Sequence, residues 1–195
     1  MKYRTVLLFG APGSGKGTQG KILGSIPGFF HCACGDVFRK LRIADPLGRI
    51  FVEHSSKGRL VPDGPTIELW QRNIQGCTMD GSFVPETDTL VLDGIPRNAS
   101  QAAMLENTLD VRAVFHLTCS DMNKMVERLQ RRALRENRLD DANLEVIRKR
   151  LETYESETKP VLDYYGPSKV HNIDSTAPPL DVLRSLLDIL SRATK

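Results

Sequence analysis

Cysteine is scarce in this chain, and the four that occur, Cys32, Cys34, Cys77 and Cys119, fall in no paired C-x-x-C pattern. That spacing excludes the common structural zinc sites, and 195 residues can build a core without a disulfide framework. Aromatics make up only 6% of the residues, and none interleaves the basic segment between Arg128 and Arg150. A stacking platform for single-stranded nucleic acid is thereby excluded. Neither sign of charge dominates, and a net charge of +3 supplies no general field for a polyanionic partner. No apolar run approaches the roughly 20 residues of a membrane span, and the stretch after Met1 is too short even for a signal peptide. Internal repeats, low-complexity tracts and interdomain linkers are missing as well. These absences leave the expectation of a cytoplasmic protein with reduced thiols, no membrane and no nucleic-acid partner, built as one domain with room for small inserted lobes.

What is present begins at once. Val6, Leu7, Leu8 and Phe9 have the length and composition of a buried strand. A loop follows that contains Gly10, Gly13, Gly15 and Gly17, and a helical pattern resumes over 16–25. Glycines allow a tight turn and bring backbone N–H groups up to a polyanion, while the positive end of the next helix completes a phosphate cradle. Lys16 can reach from it as a point charge toward the outer phosphates. Gly10, Gly15 and Lys16 fit the G-x-x-x-x-G-K-[ST] phosphate loop, with Gly17 where the hydroxyl residue usually stands and Thr18 one place later. Gly15, Gly17 and Gly20 also spell G-x-G-x-x-G, but a dinucleotide site needs its first glycine at the strand end, and Gly15 comes six residues after Phe9.

Further strands are expected over 29–33, 90–92, 113–117 and 170–173, and helices over 46–57, 66–74, 121–132, 144–154 and 181–190. Strand–helix alternation of this kind argues for an α/β three-layer sandwich around a five-stranded parallel sheet. The strand at 90–92 runs into Asp93-Gly94-Ile95-Pro96-Arg97. An aspartate at such a strand end suits the hydration shell of Mg²⁺ beside a phosphate. Seven arginines crowd between Arg128 and Arg150; a solvated helix face is the commoner fate of such a run.

The stretch Gly10 to Gln19, G-A-P-G-S-G-K-G-T-Q, resembles the phosphate loop of adenylate kinases and related nucleoside monophosphate kinases, and the chain is most similar to a short-lid adenylate kinase. Four further motifs follow in order. His31-Cys32-Ala33-Cys34-Gly35-Asp36-Val37-Phe38-Arg39 resembles H-x-S-T-G-D-x-x-R, with Ala33 for the serine and Cys34 for the threonine. Gly58-Arg59-Leu60-Val61-Pro62-Asp63 resembles G-x-L-V-P-D, with Gly64 where glutamate is common, and Asp93 to Arg97 with Gln101 resembles D-G-F-P-R-x-x-x-Q, with Ile95 for the phenylalanine. Lys149-Arg150-Leu151-Glu152-Thr153-Tyr154 matches K-R-L-E-x-Y.

The resemblance implies a fold of the P-loop nucleoside triphosphate hydrolase type, with an acceptor lobe inserted over about 36–65 and a short lid over about 132–140. It also implies transfer of the terminal phosphate of ATP to AMP with Mg²⁺, by a monomer carrying no structural zinc. Gly13, Ser14, Gly15, Lys16, Gly17 and Thr18 would cradle the ATP phosphates, and Arg128 would stack on the adenine. Arg132, Arg138 and Arg150 would neutralise the transferring group, alongside Lys16 and Arg97, and Asp93 would order the metal's water shell. The AMP side would be formed by Cys34, Arg39, Val61, Gly94, Arg97 and Gln101, with Arg138 and Arg150. Gln101 supports AMP, since a carboxamide offers a donor and an acceptor to a base edge; Asn98 and the lost hydroxyl at Cys34 lean toward a pyrimidine. Two alternatives stay open: a UMP/CMP kinase, and a nucleotide-binding module without catalysis.

Overall fold

In a computed structural model, residues 2–136, 138 and 141–193 are described. Five parallel strands form one sheet: β1 (Tyr3–Gly10), β2 (Phe29–Ala33), β3 (Thr89–Asp93), β4 (Leu109–Thr118) and β5 (Val170–Asp174), in the order β2-β3-β1-β4-β5. Parallel strands need crossovers, and the chain supplies helices at each return. These are α1 (Lys16–Leu23), α2 (Cys34–Arg39), α3 (Pro46–Ser55), α4 (Asp63–Met79), α5 (Ala99–Leu105), α6 (Met122–Glu136), α7 (Leu144–Thr153), α8 (Val161–Tyr165) and α9 (Pro179–Ala193). A π-helical turn, Tyr154–Thr158, follows α7 directly.

Alternate side chains of the central strands enter two different cores, which is why β1 reads as a continuous apolar run. Leu7 and Phe9 pack with Leu92, Trp70 and Ile74 on one face, and Val6 and Leu8 with Phe115, Leu117 and Leu186 on the other. A third cluster joins Ala11 to Leu129, Ile147, Leu151 and Tyr154, and seats α6 and α7 beside the loop after β1. This is the expected three-layer α/β sandwich.

The differences from expectation have local causes. The fourth α-helix begins at Asp63, three residues before the expected start, with Pro65 in its first turn, where a missing N–H costs nothing. It continues past Gly76 to Met79 because Trp70 and Ile74 hold it against the sheet. Helix α5 was not legible as a helix: it has seven residues and starts on Asn98, whose side chain accepts from the Gln101 N–H. The lid expected over 132–140 includes Asn137, Leu139 and Asp140, which lie outside the described residues.

The topology fixes where a ligand can sit. From β1 the chain moves to one side of the sheet, and from β3 it crosses to the other. The carboxyl ends of β1 and β3 therefore flank a crevice at the point of reversal, the usual ligand position in open α/β sheets. Leu8 pairs with Asp93 there.

Candidate active site

The crevice is a cleft of about 610 Å³. Its floor is the loop between β1 and α1. Gly15 caps α1 at φ 96° and Gly13 has φ 86°, both in the left-handed region that favours glycine. A Cβ on Gly13 would also lie 2.8 Å from the Met125 carbonyl oxygen of α6, so the loop reaches its shape only with glycine. Within it the Ser14 hydroxyl is buried without a partner. A loop of N–H groups at a helix start, holding an unpaired buried hydroxyl, is arranged to receive oxygen ligands such as phosphate.

Lys16 opens α1 and folds back over the loop. Its ammonium donates to the Gly10 carbonyl at 2.6 Å and the Ala11 carbonyl at 3.1 Å. Burial lowers its pKa from 10.5 to about 8; Asp93 opposes this, and Arg97, Arg132 and Arg150 add to it. Asp93 ends β3 on the cleft wall, and its Oδ2 would lie 3.9 Å from a Cβ placed on Gly17. Among the described residues no three His, Cys, Asp or Glu side chains converge as metal ligands. One carboxylate beside a phosphate loop suits Mg²⁺, which keeps most of its waters and takes its other ligands from phosphate oxygens.

The walls carry arginines from three directions. Arg39 ends α2, packs over the Phe51 ring at 5.7 Å and bonds Asp36 at 3.1 Å. Phe51 is itself stacked on Phe38 at 5.0 Å. Arg97 curls back so that its Nε donates to the Gly94 carbonyl at 2.7 Å. Across the cleft, Arg128 ties α6 to the Gly13 and Ser175 carbonyls. One turn further on, Arg132 bonds Asp141 at 2.7 Å, and Arg150 of α7 takes the other oxygen of the same carboxylate. Arg138 reaches Asp36 at 3.0 Å and Glu136 at 2.6 Å. One oxygen of the Asp36 carboxylate, Oδ1, thus joins Arg39 to Arg138 and ties the cleft closed at that edge. The segment between α3 and α4 also rests on α7, where Thr153 donates to the Gly58 carbonyl at 3.2 Å.

Gly13, Ser14, Gly15, Lys16, Gly17, Thr18, Arg39, Val61, Asp93, Gly94, Arg97, Arg128, Arg132, Arg138 and Arg150 all line this cleft. Cys34 and Gln101 do not. Cys34 is 2% exposed, and burial pushes its thiol up to about 12. Gln101 is 1% exposed; its Oε1 accepts from the Arg97 N–H and its Nε2 donates to Asp63, both at 2.8 Å. Asn98 donates to the same Asp63 oxygen at 2.8 Å. The carboxamide therefore braces the Arg97 backbone in this closed arrangement.

Three carboxylates that were not among the expected site residues organise the site. Asp141 is fully buried and holds Arg132 and Arg150, Asp36 holds Arg39 and Arg138, and Asp63 holds Asn98 and Gln101. The signal for Asp141 was its place inside an arginine run, since a carboxylate there has cations to pair with and can be buried.

Fold and cleft together define a phosphate-loop α/β protein with cationic side chains gathered on both sides of the loop. Comparison with known proteins gives the particular family. A family model described as adenylate kinase matches residues 8–170. Adenylate kinase of Porphyromonas gingivalis is 33% identical over 97% of this chain and 97% of its own length. That of a Cyanothece species is 36% identical over 96% and 95%, and that of Chlamydia trachomatis 32% over 95% and 89%. The chain belongs to the adenylate kinase family, whose members are nucleoside monophosphate kinases and hence phosphotransferases.

Proposed function

We propose that this protein transfers the terminal phosphate of ATP to AMP, reversibly and with Mg²⁺, giving two ADP. The observation that carries this reading is the convergence on one closed cleft of a phosphate loop, an acceptor-side pair (Arg39 and Arg97) and a lid-side trio (Arg132, Arg138 and Arg150). A single nucleotide offers no reason for cations on both sides; two phosphate chains meeting end to end do.

The roles follow from position. Residues 13–18 hold the ATP phosphates, and Lys16, already inside the loop, accompanies the phosphoryl group as it passes. Arg128, on the wall with Ser175, Ala177 and Pro179, covers the adenine. Arg39 and Arg97 hold the acceptor's phosphate, with Val61 and Gly94 beside it. Arg132, Arg138 and Arg150 balance charge spreading over the transferring oxygens, where preorganised donors act most strongly. Asp93 would hold Mg²⁺ through water, the metal supplying neutralisation of phosphate charge. No general base is needed, because the attacking phosphate oxygen is already ionised. Closure keeps out the water that would otherwise hydrolyse ATP. On this reading the enzyme acts as a cytoplasmic monomer.

A second reading, with UMP or CMP as acceptor, is favoured by the engagement of Gln101 with Asp63 and Arg97 and by the burial of Cys34. A coupled assay of ADP formation from ATP with AMP, UMP, CMP and GMP in parallel tests both. AMP should be preferred by at least about tenfold in kcat/KM, with Gln101→Ala narrowing the ratio. A faster rate with UMP or CMP would overturn the choice of acceptor and leave the kinase; no transfer to any of them would leave a binding module.

A further inference from the structure

Strand β4 is buried and apolar from Ala113 to Leu117 except for one residue, His116, which is 8% exposed. It sits beside Phe9 of β1, immediately before the phosphate loop. A polar ring in that position is costly unless both nitrogens are satisfied. Both are: Nδ1 lies 2.7 Å from Asn172 Oδ1 of β5, and Nε2 lies 2.9 Å from the Tyr154 hydroxyl. An amide oxygen only accepts, so Nδ1 carries the proton, Nε2 is the bare acceptor, and the tyrosine donates.

We propose that His116 is a positioning residue for phosphoryl transfer, acting through Tyr154 to fix the rotation and height of α7 and hence the place of Arg150. The inference rests on the phosphotransfer reading above. Tyr154 lies on the cleft wall, packs among Ala11, Leu129, Ile147 and Leu151, and marks the point where the α-helix widens into a π turn. Its N–H bonds the Arg150 and Leu151 carbonyls, so it stands one turn from the arginine on the same helix end. The apolar contacts of that cluster hold α7 down without choosing its rotation, because burial has no direction. The hydroxyl–imidazole bond does choose, and ties that rotation to the strand beneath the phosphates. A displacement of about 1 Å at a reacting centre can cost about 100-fold in rate. Burial keeps His116 below its ordinary pKa, so the accepting tautomer persists at neutral pH with Lys159, Glu155 and Lys16 as the charged groups around it.

Two substitutions separate the two bonds. His116→Gln places an amide where Nε2 stood and keeps the Tyr154 partner. His116→Asn reaches only the Nδ1 position and keeps Asn172. His116→Asn and Tyr154→Phe should each lower kcat about tenfold or more with KM for both nucleotides within about threefold, while His116→Gln stays within about threefold in kcat. In an Arg150→Ala background, His116→Asn should add less than about twofold, since residues acting through one another are not additive. Equal losses in the two His116 variants, full activity in Tyr154→Phe, or multiplying losses in the Arg150→Ala background each overturn the inference. Should His116→Asn fail to fold, Tyr154→Phe, which removes one oxygen, decides alone. Absence of transfer by the unmodified protein overturns both readings; transfer with indistinguishable variants overturns this one only.

Discussion

On the proposed reading, Lys16 should couple nucleotide binding to the uptake of a proton. Burial brings its ammonium down to about 8, against 10.5 for an ordinary lysine. If a triphosphate binds the loop as proposed, it puts negative charge beside Lys16 and should raise its pKa back to the ordinary value. At pH 8.5 a group of pKa 8 is about three-quarters neutral, so binding should draw in about 0.7 proton per chain. The same linkage weakens binding by about 25-fold, or about 2 kcal/mol, between pH 7.5 and pH 9.5. Stability runs the other way. The folded pKa is depressed, so the unfolded chain binds more protons between about 8 and 10.5, and the ligand-free protein gains stability as pH rises through that window. Below pH 8 the burial cost is fully present. Titration calorimetry with a non-hydrolysable ATP analogue at pH 8.5, in two buffers of different ionisation enthalpy, reads the uptake directly. Lys16→Met should remove it, and should flatten the pH dependence of stability relative to the unmodified protein. A difference in uptake between the two proteins below about 0.2 proton would refute the coupling.

Other substitutions probe the rest of the site. Arg97→Ala should lower kcat by about 100-fold or more, the scale for losing one preorganised donor, while circular dichroism shows the fold unchanged. Asp141→Ala strands two arginines around a buried position and should cost about 3 kcal/mol in urea unfolding, together with most of the activity; an unfolding midpoint like that of the unmodified protein would show that water satisfies them. Gly13→Ala forces a Cβ against the Met125 carbonyl in a left-handed backbone and should abolish nucleotide binding as read by calorimetry. Metal analysis of the purified protein should find no stoichiometric zinc, and activity lost to a chelator should return with added Mg²⁺.

The elements legible in the sequence were those whose signal is local. Val6 to Phe9 with the glycine loop, and the Asp93 strand end, could be read because a buried strand and a phosphate turn each impose a short composition pattern. Helix α5 and the ends of α4 could not, since seven residues are too few to show a period, Pro65 reads as a break although a first helical turn tolerates it, and Gly76 stays helical only through tertiary packing. The cleft-lining residues came from motif resemblance. What escaped was the pairing that holds them. Asp141 serves two arginines nine residues away on either side, Asp63 and Gln101 meet across 38 residues, and so do His116 and Tyr154. Such contacts belong to the fold and leave no spacing in the chain. Gln101 shows the same limit: its chemistry suits a base edge, but only the structure reveals that both ends of its amide are engaged.

Asp36 gives the closed cleft a property of its own. It occupies Arg39 and Arg138 together with a carboxylate that is itself about a third exposed. On the proposed reading, a phosphate arriving at these arginines would exchange one anion for another and would not land on bare cations. The site is therefore held in shape before substrate comes, and fewer counterions are released on binding than its arginines would suggest. Nucleotide affinity should fall only gently with salt, and more steeply in Asp36→Asn. On that reading Asp36 is a tenant of the phosphate position, and its departure would leave Arg138 on Glu136 and Arg39 over the Phe51 ring, each with room for one new anion.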